Sequence, residues 1–182
     1  MIAALAGRRV DAEGAAEPRF PAAMIPVVRD RIYDLFRESN VKTLVCSAAN
    51  GSDLLALDVA GPFGIRRIVI LPADRQRFFE SSVADRPGEW GAIYDRVLDE
   101  IEANGDLLVL GTDLDDDAYA NATARIIEEA ANISKSDGEP ALAIVVWNMR
   151  SRGPGDLTEL FKVDTKKRGF RVVEIDTLGS AE

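Results

Sequence analysis

The feature that most constrains this fold is an alternation: six short apolar runs, several of them unbroken, separated by stretches whose apolar residues recur at helical spacing. The runs are Ile2 to Ala6, Thr43 to Cys46, Arg67 to Leu71, Asp106 to Leu110, Ala141 to Trp147 and Arg171 to Ile175. A strand with one face in water alternates apolar with polar residues, so continuous runs predict strands buried on both faces in a mostly parallel sheet. Between them, Val28, Ile32, Leu35 and Phe36 share one helical face behind Pro26, which suits the start of a helix. Ile93, Val97, Leu98 and Ile101 share another, and Ala118 to Ser134 and Leu157 to Lys167 are the last two helical segments. The pattern predicts a doubly wound α/β sheet of about six strands with helices on both faces, joined by right-handed crossovers. At 182 residues and 47% hydrophobic, the whole chain, 1–182, is expected to form one domain.

Composition narrows what such a fold can do. A net charge of −9 argues against nucleic acid or an anionic membrane as partner, since both require a basic face. No apolar run approaches the ~20 residues of a spanning helix, and Met1 to Ala6 is too short, and too soon followed by Gly7-Arg8-Arg9, for a secretory signal. A cytoplasmic location is expected. The chain has no histidine and a single cysteine, so no Ser-His-Asp or Cys-His arrangement and no cysteine–histidine zinc site can be built. Any catalysis would rest on carboxylates, arginines, hydroxyls and backbone dipoles. Cys46 closes a buried strand with no base to activate it, and is expected to be packing.

In a doubly wound sheet, ligands sit at the carboxyl ends of the strands, and the polar oddities of this sequence collect there. The first strand is followed by Gly7-Arg8-Arg9-Val10-Asp11 and the third by Pro72-Ala73-Asp74-Arg75. The second is followed by Ser47-Ala48-Ala49-Asn50-Gly51-Ser52-Asp53, small residues opening a helix, where free amides and the helix dipole could receive a phosphate. The fifth runs through Trp147-Asn148, Arg150 and Arg152 into Gly153-Pro154-Gly155-Asp156-Leu157-Thr158, a second glycine-bearing turn into a helix. The alternative at the first loop is a plain turn capped by Ser52 or Asp53.

These residues resemble the SLOG superfamily, the Rossmann-like group that contains the LOG phosphoribohydrolases and the DprA and TRPM nucleotide-sensing-type domains. The likeness lies in Gly7-Arg8-Arg9, in Ser47 to Ala56, in Ile70-Leu71-Pro72-Ala73-Asp74-Arg75 with Ser81-Ser82-Val83-Ala84, in Tyr119-Ala120-Asn121-Ala122, and in Val145 to Asn148 with Gly153 to Thr158. It implies a nucleotide or nucleotide-derived ligand, with or without Mg, and no certain cofactor. The implied ligand-binding residues are Gly7, Arg8, Ser47, Ala48, Ala49, Asn50, Gly51, Asp53, Asp74, Ser82, Asn121, Gly153, Gly155 and Thr158. One departure matters: LOG enzymes are similar in carrying a Pro-Gly-Gly-x-Gly-Thr-x-x-Glu turn with a catalytic glutamate. Here the turn is one residue shorter, and Phe161 stands three residues after Thr158. Glu159 would point elsewhere on the helix, where each residue turns by about 100°.

Asp53 bears on the phosphate reading. A carboxylate at a helix N-terminus stabilises the helix but repels a phosphate at the same amides. Either Asp53 turns aside to cap the loop or accept a ribose hydroxyl, or the anion sits at the Gly155 turn; a structural Asp53 is the preferred reading. Asp113-Leu114-Asp115-Asp116-Asp117 resembles a calcium loop only in acidity, lacking the glycine at position six (Ala118) and the glutamate at twelve (Ala124), and its last aspartate is expected to cap the next helix. Trp147 and Trp90 are expected to pack in the core and at a helix start, although Trp147 could stack on a base. Phe78, Phe79 and Phe161 are expected in the core, with a dimer contact as the alternative.

The sequence therefore supports a ligand-sensing domain first, whose output would pass through self-association or a separate effector protein. A LOG-type hydrolase or glycosyltransferase, with Asp74 or Glu159 as acid, base or nucleophile and Arg8 or Arg150 holding phosphate, is the second reading. A scaffold with a vestigial pocket is the third.

Overall fold

The computed structural model describes residues 1–179; the last three residues of the expected 1–182 domain lie outside it. Six strands form one sheet: β1 (Ile2–Gly7), β2 (Thr43–Cys46), β3 (Arg66–Leu71), β4 (Leu107–Val109), β5 (Ala141–Trp147) and β6 (Arg171–Asp176). Six α-helices join them: α1 (Ile25–Ser39), α2 (Ser52–Ala60), α3 (Arg75–Ser82), α4 (Trp90–Ala103), α5 (Asp116–Asp137) and α6 (Leu157–Lys167). The strand order is β4-β3-β2-β1-β5-β6, and every pairing is parallel. This is a Rossmann-like, doubly wound α/β fold.

The continuous apolar strands divide their side chains between two cores. Ala3, Leu5, Leu44, Cys46, Val69, Leu71, Ile144 and Val146 face α1 to α4, packing on Val28, Ile32, Phe36, Leu54, Leu57, Phe78, Trp90 and Val97. Their neighbours in sequence, Ile2, Ala4, Val45, Ile68, Ile70, Ala143 and Val145, face α5 and α6, on Ile126, Ile127, Ala130 and Phe161. The period-2 pleat thus explains why both parities must be apolar. Trp147, Phe78 and Phe161 are buried in these cores and Phe79 packs against the first, as expected, while Trp90 opens α4.

Local corrections concern element ends. The acidic stretch before α5 is capped by Asp115, which accepts from the Ala118 amide at 2.8 Å, rather than by Asp117. Neither Ser52 nor Asp53 caps α2; its N-cap is Gly51. β4 is shorter than the Asp106 to Leu110 run, and α3 is a helix that hydrophobic spacing alone did not announce. Its signal was the cap: Asp74 accepts from the Arg77 amide at 3.0 Å.

This topology places one crevice. The chain leaves β1 toward β2 on one side and returns at β5 on the other, so the carboxyl ends of β1 and β5 form the switch point of the sheet. At such a point the loops diverge and leave a cleft for a ligand.

Candidate functional site

The loops at the switch point are pinned together by close approach and buried polar side chains. A Cβ on Gly7 would lie 2.5 Å from that of Ser52 and 2.6 Å from the Val146 carbonyl oxygen, and one on Gly51 would lie 2.8 Å from the Arg8 carbonyl oxygen. Only glycine lets the loop after β2 close on the loop after β1. Ser52 Oγ then donates to the Arg8 carbonyl at 2.7 Å. Asn50, almost fully buried, accepts from the Val10 amide at 3.2 Å and donates to the Ser82 carbonyl at 2.9 Å and to Asp85 Oδ1 at 3.2 Å. Ser82 Oγ meets the Tyr119 hydroxyl at 3.1 Å.

Arg8 is the keystone of the β1–β5 crevice. Its guanidinium is buried and forks onto Asp156, Nη1 to Oδ1 at 2.7 Å and Nη2 to Oδ2 at 2.6 Å. It also donates to the Arg150 carbonyl at 2.8 Å, Thr158 Oγ1 at 3.4 Å and Asn148 Oδ1 at 3.4 Å. A guanidinium has five N–H donors, and all are engaged by the protein. Arg8 therefore braces the site and has no donor to spare for a ligand. Asp156 in turn is the N-cap of α6, accepting from the Thr158 amide at 3.0 Å and the Arg152 amide at 2.8 Å. Burial alone would raise its carboxyl, but the hydrogen bonds and charge of Arg8 and the Arg152 amide hold it well below the usual carboxylate range.

At both turns expected to seat a phosphate, a carboxylate of the chain accepts backbone amides. Asp156 fills the N-terminus of α6. Asp53 Oδ2 accepts the Ala49 amide at 3.2 Å in the loop before α2, which fits its structural reading. With that single amide and the charge of Arg9 as counterweights, burial pushes the Asp53 carboxyl up to about 7. It also contributes, after burial, to raising the thiol of buried Cys46.

What remains open is a cleft of ≈ 340 Å³ whose lining includes Arg9, Arg19, Arg86 and Arg152 together with Gly7, Arg8 and Asp11. Arg9 Nη1 reaches Asp85 Oδ2 at 2.8 Å, and Arg86 Nη1 reaches the same oxygen at 2.8 Å. Arg152 Nη2 stands 3.8 Å from Asp156 Oδ1, a carboxylate that Arg8 already binds. Burial lowers the Arg152 guanidinium from its ordinary value and nearby Arg8, Arg19 and Arg9 lower it further; Asp156 opposes them. Arg19 is held in place by Asp11, whose Oδ2 accepts the Arg19 and Phe20 amides at 2.9 Å, and its Nη2 lies 3.2 Å from exposed Glu17. Arg19 also borders a second cavity of ≈ 600 Å³, walled by Pro18, Asn148, Arg150, Ser151 and Leu178.

Of the residues expected to bind ligand, Gly7, Arg8 and Thr158 line the arginine cleft. Ser47, Ala48, Ala49, Asn50 and Gly51 form the loop after β2, Asp53 lies in the first turn of α2, Ser82 ends α3, and Gly153 and Gly155 lie in the turn between Arg152 and α6; none of them borders the cleft. Asp74 caps α3, and exposed Asn121 lies on α5; neither borders either cavity. Glu159 accepts from Ser151 Oγ. Sequence reasoning missed Arg19, Arg86 and Asp85, because nothing local marks them: Arg86 and Asp85 come from the α3–α4 loop and Arg19 from the loop before α1. Among the described residues, no group of three His, Cys, Asp or Glu side chains is placed to hold a metal ion, and no helix is long and apolar enough to cross a membrane.

No family model and no curated protein matches the chain. Among solved structures it is similar to DNA processing protein A (DprA) from Streptococcus pneumoniae, at 15% identity and a TM-score of 0.44, over 96% of this chain and 58% of that one. This chain spans 58% of the length of that protein. The Rossmann-like assignment rests on the strand order and parallel pairing described above.

Proposed function

We propose that this chain binds a nucleotide or nucleotide-derived ligand in the arginine-lined cleft at the β1–β5 switch point and acts as a sensor of it. One observation carries the proposal: in a chain of net charge −9, four half-exposed arginines converge on a single cleft at the edge where doubly wound sheets take their ligands. Guanidinium groups match phosphate oxygens in pairs, and a local cluster meets an anion that the molecule as a whole repels. The resemblance to the SLOG superfamily points to the same ligand class. Output would pass through self-association or a separate effector protein.

A specific observation also supports a hydrolytic reading. The Asp53 carboxyl, near 7, is in the range suited to general acid–base work, whereas Asp74 and Glu159 are engaged in a helix cap and a hydrogen bond. The sensor reading is preferred because Asp53 does not border the cleft.

The experiment is a thermal-shift titration against mononucleotides, cyclic and linear dinucleotides, NAD and ADP-ribose, with chromatography of every mixture. Ligand at a hundred times its dissociation constant adds about 2.7 kcal/mol, enough to move the midpoint by several degrees. A shift with intact ligand is the expected result. A shift with breakdown that Asp53→Asn abolishes would favour the enzyme, and no shift from any compound would leave a vestigial pocket.

A further inference from the structure

The cavity of ≈ 600 Å³ beside the arginine cleft is walled by three segments that the fold ties together. The Thr177 amide, just after β6, donates to the Trp147 carbonyl at 3.1 Å, and the buried Thr177 hydroxyl donates to the Arg19 carbonyl. The loop before α1, the loop after β5 and the chain after β6 thus meet around one space, with Pro18 and Leu178 as its apolar walls. Cavity and cleft adjoin: Arg19 borders both, and Arg8 of the cleft bonds Asn148 of the cavity at 3.4 Å.

Asn148 lines this cavity while only 7% exposed. A guanidinium can only donate, so the carboxamide atom facing Arg8 Nε is the oxygen, and the other arm carries the amino group. Asn148 Nδ2 bonds no protein group among the described residues, and no fully buried side-chain nitrogen or oxygen there lacks a partner, so Nδ2 opens onto the cavity. The rest of the polar lining adds little that accepts. The Arg150 guanidinium, which has no ion pair among the described residues, is a donor, and Ser151 Oγ is committed to Glu159 and the Gly153 amide. Glu17, the carboxylate of the lining, is 83% exposed and paired with Arg19 at 3.2 Å.

We infer that, on the nucleotide-binding reading above, this cavity takes the base, and that Asn148 selects an oxopurine or oxopyrimidine over its amino counterpart. Guanine presents N7 and O6 as neighbouring acceptors on one edge, whereas adenine presents N7 beside an amino donor; uracil and cytosine differ in the same way, a carbonyl against an amino group. Asparagine pairs with adenine by donating and accepting together, and here its oxygen is held by Arg8. An amino group brought to Nδ2 sets donor against donor. Asn148 is then the specificity-determining residue, and Arg8 orients it.

IMP, GMP, AMP, UMP and CMP are titrated calorimetrically into the full chain at one ionic strength, because exposed charges are screened by salt. All share the monophosphate, so the contribution of the arginine cleft cancels in their ratios. IMP is the deciding probe, since its base carries O6 and N7 and no amino group for Glu17 to accept. IMP and GMP are expected to bind at least about tenfold tighter than AMP, and UMP tighter than CMP by a similar factor, a difference of ~1.4 kcal/mol. AMP keeps its phosphate contacts and binds more weakly. Asn148→Ala should bring IMP down to the affinity of AMP, and Asn148→Asp, which keeps an oxygen on Arg8 and turns the other arm into an acceptor, should abolish or invert the IMP-to-AMP ratio. Ligand-free melting midpoints show whether each variant folds, and the ratios in the parent protein decide the inference without them. IMP binding no tighter than AMP, or a ratio unchanged in folded Asn148→Asp, would overturn the base selection while leaving the nucleotide site standing. Absence of binding by every compound would remove both proposals.

Discussion

Two aspartates stand beside two loops that enter helices, and the fold treats them in opposite ways. Asp156 is buried with a bidentate arginine and two backbone amides, and its carboxyl is held far below its ordinary value. Asp53 is nearly as buried but receives one amide, and its carboxyl is pushed up to about 7. The contrast shows that burial is the common cost and that the partner decides the outcome: a full set of donors keeps the charge, and a partial set favours the neutral acid. At each turn a carboxylate of the chain takes one or two of the backbone amides that a phosphate would also use. Under the proposed function, anion binding at this edge falls to the arginines between the loops.

The comparison is broken most severely at Asp156. Asp156→Ala leaves the Arg8 guanidinium buried and unpaired and removes the cap of α6, so a loss of about 3–5 kcal/mol is expected in urea denaturation. A loss below ~1 kcal/mol would mean that water reaches Arg8 freely.

Next in size is the close approach of the loops after β1 and β2. Gly7→Ala pushes a methyl group against Ser52 and the Val146 carbonyl, and should cost about 1–3 kcal/mol. An equilibrium melt indistinguishable from the parent protein would show that the loops are not in contact as described.

The pH dependence separates the two carboxyls. Asp53 is raised above its ordinary 3.8, so its contribution is present in full below about that pH and is lost as pH rises through about 7. Each unit of displacement corresponds to about 1.4 kcal/mol, and Asp53→Asn should flatten stability between these limits. Asp156 is depressed, so its contribution is present above the ordinary carboxylate range and is lost only as pH falls below it. Urea midpoints measured across the acid-to-neutral range check both limbs; an unchanged slope in Asp53→Asn would place the titrating group elsewhere.

The smallest stability change is expected at the cleft rim. R86Q and R152Q alter half-exposed groups and should shift stability by no more than about 0.5 kcal/mol while weakening ligand binding.

The parts of the molecule that were legible in the sequence are those in which spacing carries the information. Leu142 to Trp147 is apolar at every position because successive residues enter opposite cores, and Val28, Ile32 and Phe36 share a face because they lie on one helix. The backbone frame around the switch point was legible too, since Gly7 ends β1, Gly51 caps α2 and Thr158 opens α6 in a readable order. What escaped was the assembly of charges. Arg19 and Arg86 are ordinary surface arginines in sequence, and only the folding of two loops onto the β1–β5 edge brings them together. The engagement of Arg8 was hidden for the same reason: its acceptors are 140 to 150 residues away.

The most direct test of the arginine cleft is an NMR titration with ADP that follows the side-chain Nε–Hε signals of the arginines. The expected result is perturbation centred on Arg9, Arg86 and Arg152, with Arg8 unmoved in its pairing with Asp156. Saturable perturbation confined to arginines outside the cleft, or displacement of the Arg8 signal without the other three, would contradict it.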